Sequence, residues 1–238
     1  MKKIICDNYE ESCRAAADIF TEQLRQKPES VLGLSTGSTP IGLYAQLVSR
    51  YNEGKIDFSR ATAFNLDEYY PIKQNHAQSY KTFMEEYLFS KVNFAQTHIP
   101  NGEASDVEAE CTRFDAELEA AGGVDLQLLG IGTNGHIGFN EPAVIYPLGS
   151  SLAHLSEDSL KSNARFFTKG ETQPTTALTM GVGQIFAAKH ILMLISGTNK
   201  TEITKKLFEG KLHTDVPACF LLLHPNVTFV MDKAAAGV

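Results

Sequence analysis

Four short segments of this 238-residue chain carry side chains whose types and spacing could do chemistry. The run Ser35-Thr36-Gly37-Ser38-Thr39-Pro40 sets hydroxyls on both sides of a glycine, just before the helical pattern of Leu43, Tyr44 and Leu47. Pro40 suits a first helical position, where its missing N–H is not needed. Thr36, Gly37, Ser38 and Thr39 would then gather unpaired N–H groups and hydroxyls at a positive dipole end, which is a cradle for an anion such as phosphate. An ordinary helix cap would need only one hydroxyl.

The second segment, Phe64-Asn65-Leu66-Asp67-Glu68-Tyr69-Tyr70, brings two adjacent acids to a strand end, expected in the loop beyond it. Adjacent residues there cannot both face one cleft, so at most one acid works in it. Aromatic neighbours would raise its pKa toward the range useful in proton transfer. A metal ligand and a solvated loop charge are the other readings of such an acid. The third segment runs from Gly130 through Gly132, Asn134, Gly135, His136 and Gly138 to Glu141-Pro142. Gly130, Gly132 and Gly135 spell a dinucleotide fingerprint, but that fingerprint must open a helix in an early βαβ unit, and here a shaped loop follows. His136 and Glu141 on that loop make an imidazole–carboxylate pair fit for oriented acid–base work. No second histidine stands at ligand spacing, so no metal is expected. The fourth segment, Gly197-Thr198-Asn199-Lys200-Thr201, lacks the Gly-Lys pairing of a nucleotide-binding loop. A lysine at a helix start opposes the dipole unless an anion shares the site. Arg165 is a second candidate cation.

These segments need a frame. Short apolar runs (Lys3–Cys6, Val31–Ser35, Ala61–Leu66, Val124–Ile131, His190–Ser196, Val227–Met231) alternate with helical patterns at Glu10–Gln26, Pro40–Asn52, Ser79–Val92, Val107–Ala121 and Lys200–Glu209. That alternation predicts an α/β layered fold with a mostly parallel central sheet covered on both faces. In such sheets the working site lies beyond the carboxyl ends of the strands, where all four segments fall. One domain over residues 1–238 suits the length, with about 70 % of the unfolded surface buried and no linker or repeat.

A net charge of −7 argues against nucleic-acid and membrane-surface binding, either of which needs a basic face. Cys6, Cys13, Cys111 and Cys219 form no metal or disulfide pattern, and no leader or membrane span is apparent, so a cytoplasmic location with reduced thiols is expected.

Taken in order, Ser-Thr-Gly-Ser-Thr-Pro, Phe-Asn-Leu-Asp-Glu-Tyr, Asn-Gly-His-Ile-Gly-Phe-Asn-Glu-Pro, Asn-Ala-Arg-Phe-Phe and Ser-Gly-x-x-Lys resemble the motifs of the glucosamine-6-phosphate deaminases. The resemblance implies a Rossmann-like α/β/α domain, no cofactor, and conversion of glucosamine 6-phosphate and water to fructose 6-phosphate and ammonia. It implies Asp67 as the base that moves a proton from C2 to C1, His136 with Glu141 as the ring-opening pair, and a phosphate site of Thr36, Gly37, Ser38, Thr39, Arg165 and Lys200. Many relatives carry Asp where Asn134 stands; here the amide would accept the imidazole N–H without charge and orient it less strongly.

The long relatives bind a second sugar phosphate between subunits through an Arg and a Lys. Those positions fall on Ser151 and Ala153 here, and the chain stops soon after Asp232. A monomer or small homo-oligomer with hyperbolic kinetics is therefore expected. The rival readings are a 6-phosphogluconolactonase-like sugar-phosphate hydrolase, and a sugar-phosphate sensor domain, for which no DNA-binding segment is present.

Overall fold

In the computed structural model, which describes residues 1–167 and 171–238, ten strands and eight α-helices can be followed along the chain. The first half holds β1 (Lys2–Cys6), α1 (Tyr9–Gln26), β2 (Val31–Leu34), α2 (Ile41–Asn52), β3 (Thr62–Asn65), β4 (Asp67–Tyr70), α3 (Tyr80–Tyr87), β5 (Gln96–His98) and α4 (Val107–Ala120). The second half adds β6 (Leu126–Leu129), β7 (Ser151–His154), α5 (Glu157–Asn163), β8 (Thr176–Thr179), α6 (Val182–Phe186), β9 (His190–Ile195), α7 (Thr201–Phe208), β10 (Val227–Asp232) and α8 (Lys233–Ala236).

Seven strands form one parallel sheet in the order β1-β10-β9-β6-β2-β3-β5. Its strands are apolar on both sides because both sides are covered. Leu32, Leu34, Leu126, Leu128, Leu192, Leu194 and Val230 face α1, α2 and α3, packing on Phe20, Leu43, Leu47 and Met84. The alternate residues Val31, Phe64, Leu129, Ile191, Met193 and Phe229 face the other layer, packing on Phe114, Leu118, Ile203 and Leu207. The expected α/β fold with its mostly parallel sheet is the one observed.

From β2 the chain proceeds outward to β3 on one side, whereas β6 is followed across the sheet by β9, β10 and β1 on the other. The reversal leaves a crevice beyond the carboxyl ends of β2 and β6. The loop of residues 35–40 and the glycine-rich loop of residues 130–141 both open into it.

One expectation is corrected. Asp67 and Glu68 do not lie in a loop but begin β4, which pairs antiparallel with β8 in a second sheet of order β4-β8-β7. Leu66 is the pivot: its N–H bonds Leu34 O at 2.9 Å in the parallel sheet, while its carbonyl accepts from Met180 N at 2.9 Å beside the antiparallel one. The strand continues because a new partner is available, which the local sequence does not reveal. Smaller differences are that Pro40 precedes α2 rather than opening it, and that Lys200 ends a single 3-10 turn (Thr198–Lys200) before α7.

At the opposite, amino-terminal edge of the sheet, buried Asp125 accepts from Lys27 Nζ and Lys189 Nζ at 2.7 Å each, and from Val31 N–H at 2.8 Å. Burial disfavours its charge, but the two lysines and the N–H outweigh burial and hold its pKa below 3.8. The stabilisation is therefore complete above the unfolded value and lost as pH falls through the lowered folded one. Asp125→Ala is expected to cost about 2 kcal/mol at pH 7 and much less at pH 3, measured by denaturant unfolding at both pH values.

Candidate active site

The crevice is a cavity of about 610 Å³ whose walls include Thr36–Thr39, Asp67, Tyr80, His136, Ser159, Arg165 and Lys200. Four of the five expected motifs thus meet through their functional side chains, and the fifth supplies Arg165. At one end, Gly37 takes φ +97°, a left-handed conformation that glycine adopts without strain and that turns the loop around the cavity. Arg165 Nη2 lies 3.5 Å from Ser38 Oγ. Burial, and then the charge of Arg165, lower the Lys200 pKa. Among the described residues neither cation forms an ion pair. Two cations close enough to repel, beside a hydroxyl-rich loop, form an environment that an anion would complete.

At the other end His136 points Nδ1 at Glu141 Oε2, 3.2 Å away, with Ser159 Oγ at 3.4 Å. The carboxylate can only accept, so Nδ1 is the nitrogen that donates to it. Gly132 is required here, since a Cβ at that position would come within 2.3 Å of the imidazole Cε1 and Nδ1. Burial raises the Glu141 pKa, but bonds and charge from His136, then Ser159 and Asn134, outweigh it and bring the value down to about 2.

Asn134 plays a different part from the one expected. Its amide Nδ2 donates to Glu141 Oε2 at 2.7 Å and its Oδ1 accepts the His136 main-chain N–H at 3.2 Å, so it holds the carboxylate and the loop rather than the imidazole. Spacing alone could not tell which of two nearby acceptors an amide would choose.

Between these ends stands Asp67, 6 % exposed. Burial, and then the neighbouring charge of Glu68, push its pKa up to about 8. Strand alternation sends Glu68 to the other face, where it accepts the N–H groups of Tyr69, Tyr80 and Lys81 at 2.8–2.9 Å and so ties down the start of α3. Burial raises Glu68 to about 7 against those bonds. The anchored helix presents Tyr80 to the cavity, stacked at 1° to Phe139 with ring centroids 6.1 Å apart. Both rings line the cavity beside Asp67. One acid faces the cleft and the other builds its wall, as adjacent strand residues must.

Sequence reading missed Ser159 and Tyr80. Ser159, 3 % exposed, donates its hydroxyl to Glu141 Oε1 in a short bond, and Ser156 caps α5 through the N–H of Ser159 at 3.2 Å. Ser156-Glu157-Asp158-Ser159 carries a helix-start signal, but nothing in it names Glu141 as a partner. Among the described residues, no three His, Cys, Asp or Glu side chains converge to hold a metal ion, and no helix is long and apolar enough to cross a membrane.

Comparisons with known proteins agree with this geometry. The family described as glucosamine-6-phosphate isomerases/6-phosphogluconolactonase matches residues 7–230. The chain is 49 % identical to the glucosamine-6-phosphate deaminase of Thermoanaerobacter pseudethanolicus, over all of this chain and 95 % of that one. It superposes on a solved monomeric glucosamine-6-phosphate deaminase with TM-score 0.94 and 41 % identity, covering 100 % and 99 % of the two chains. The 6-phosphogluconolactonase of Trypanosoma brucei shares the fold, at TM-score 0.75 and 19 % identity over 99 % and 97 %.

The hydrogen bond from Ser159 helps to keep Glu141 ionised. Ser159→Ala is expected to raise the Glu141 pKa from about 2, read from the carboxyl carbon in an NMR titration; an unmoved titration would show that the bond carries no weight.

Proposed function

The chain belongs to the family of glucosamine-6-phosphate isomerases and 6-phosphogluconolactonases, and from that premise we propose that this cavity isomerises and deaminates glucosamine 6-phosphate. Water is consumed, and fructose 6-phosphate and ammonia are formed. One observation carries the reading: a buried carboxylate of raised pKa shares a cavity with an oriented imidazole and two cations that, among the described residues, have no carboxylate partner.

Lys200, Arg165 and the loop Thr36–Thr39 hold the phosphate. Charge-assisted bonds to a dianion relieve the repulsion between the two cations. His136 opens the sugar ring. Its Nε2 accepts the proton of the anomeric hydroxyl and returns one to the ring oxygen, giving the open-chain aldehyde. Glu141 stabilises the imidazolium formed in between.

Asp67 then takes the C2 proton, with the electron pair passing into the C1 carbonyl, and delivers the proton to C1. The product is a C2 imine; water adds to it and ammonia leaves. A single carboxylate can serve both carbons because they are adjacent. Its raised pKa matches a base that must also give the proton back. The lactonase alternative needs water activation at an ester and no proton transfer between carbons, so it leaves Asp67 without a task.

The reading extends to a monomeric, cytoplasmic enzyme with hyperbolic kinetics. Its support is the likeness to a monomeric deaminase and the absence of fixed positive charge at Ser151 and Ala153. The test is to supply glucosamine 6-phosphate and, separately, 6-phosphogluconolactone, measuring ammonia, fructose 6-phosphate and lactone hydrolysis. Lactone hydrolysis without ammonia would overturn the proposal.

Asp67→Asn is expected to lower kcat by roughly 10²–10⁴-fold while a sugar-phosphate analogue still binds. In the unaltered protein the base must be ionised, so kcat/KM rises with pH through a limb far above 3.8, toward about 8. Near-normal ammonia release by the variant would remove Asp67 from the mechanism.

A further inference from the structure

The first residue of α1, Tyr9, touches the hydroxyl-rich loop from outside the motifs described above. Its hydroxyl accepts the Gly42 N–H at 2.8 Å and donates to the Thr39 carbonyl at 2.9 Å, with the Ser38 carbonyl at 3.4 Å alongside. One oxygen therefore joins both sides of the bend between the hydroxyl-rich loop and α2. Burial pushes the Tyr9 pKa up to about 12, so the phenol keeps the proton it donates. Gly42 fits the contact closely: a Cβ there would stand 2.8 Å from the phenol oxygen and 2.7 Å from Cys13 Sγ.

We propose that Tyr9 is a positioning residue for substrate phosphate, setting the loop Thr36–Thr39 so that its N–H groups face the cavity. The geometry of the peptide unit supplies the reason. In a planar trans peptide the carbonyl and the N–H point opposite ways. The Ser38 carbonyl, 3.4 Å from the phenol, is turned toward Tyr9, so the Thr39 N–H of the same peptide points away from it. The Gly42 N–H is one of the first-turn donors that a helix leaves unpaired. The phenol satisfies it, so this donor is not offered to an anion. Tyr9 itself does not line the cavity.

This inference rests on the phosphate site proposed above, and inorganic phosphate as a competitive inhibitor tests the two separately. In Tyr9→Phe, KM for glucosamine 6-phosphate and the inhibition constant of inorganic phosphate are expected to rise together by roughly 5- to 20-fold, the loss of about one hydrogen bond, with kcat within about twofold. Gly42→Ala, which pushes the phenol aside, should do the same, and the double variant should be little worse than either single one. A purely structural phenol would lower the melting temperature and leave phosphate inhibition unchanged, which overturns the inference while the phosphate site stands. A loss confined to kcat would overturn it too. If the unaltered protein turns over substrate but phosphate does not compete, the phosphate site falls, and the inference with it.

Discussion

A carboxylate can be both dry and correctly aimed only if its backbone is fixed by something other than its own side chain. Here that something is the pairing of β4 with β8, in which Asp67 lies opposite Thr179. The same Thr179 accepts the Phe139 N–H at 3.1 Å, and Asn140 donates to the Met180 carbonyl at 2.8 Å. One strand therefore holds Asp67 on its flank and the glycine-rich loop at its end. A register slip of one residue would put Glu68 in the cavity and Asp67 among the N–H groups of α3. Asp67 and the loop of His136 are thus referred to a single ruler of backbone bonds.

The charges are arranged against local stability. Half-buried Lys200 and exposed Arg165 stand together at one end, and two acids of raised pKa at the middle. The stabilising charges are Glu141, held by His136 within the crevice, and Asp125, held by two lysines at the amino-terminal edge of the sheet. Such a division is expected where binding energy must come from completing unfavourable arrangements.

Much of this was legible in the sequence, for reasons that differ by element. The runs of β2, β6, β9 and β10 are apolar on both faces, so their burial needs no partner to be recognised. The short β4, β7 and β8 read DEYY, SLAH and TALT; none alternates cleanly, and acids are poor strand formers, so only tertiary pairing makes them strands. Site residues with strong chemistry, such as His136, Asp67 and Lys200, stood out by type and by position after strands. Ser159 and Tyr9 did not, because a hydroxyl is common and its meaning lies wholly in what it touches. Asn134 was visible as a member of the loop, while its choice of Glu141 over the imidazole depended on a fold of six intervening residues.

Helix α5 joins the two ends of the crevice. Ser159 on its first turn holds Glu141, and Arg165 follows just past its last turn. Four α-helical steps and two 3-10 steps advance roughly 10 Å along the axis, which is the scale of an extended six-carbon chain ending in phosphate. Under the proposed function the helix works as a caliper, with one jaw for the aldehyde end and the other for the phosphate. Shorter sugar phosphates, seated by their phosphate, would leave the upper jaw empty; selectivity for chain length is then a property of helical rise, carried by no side chain in particular.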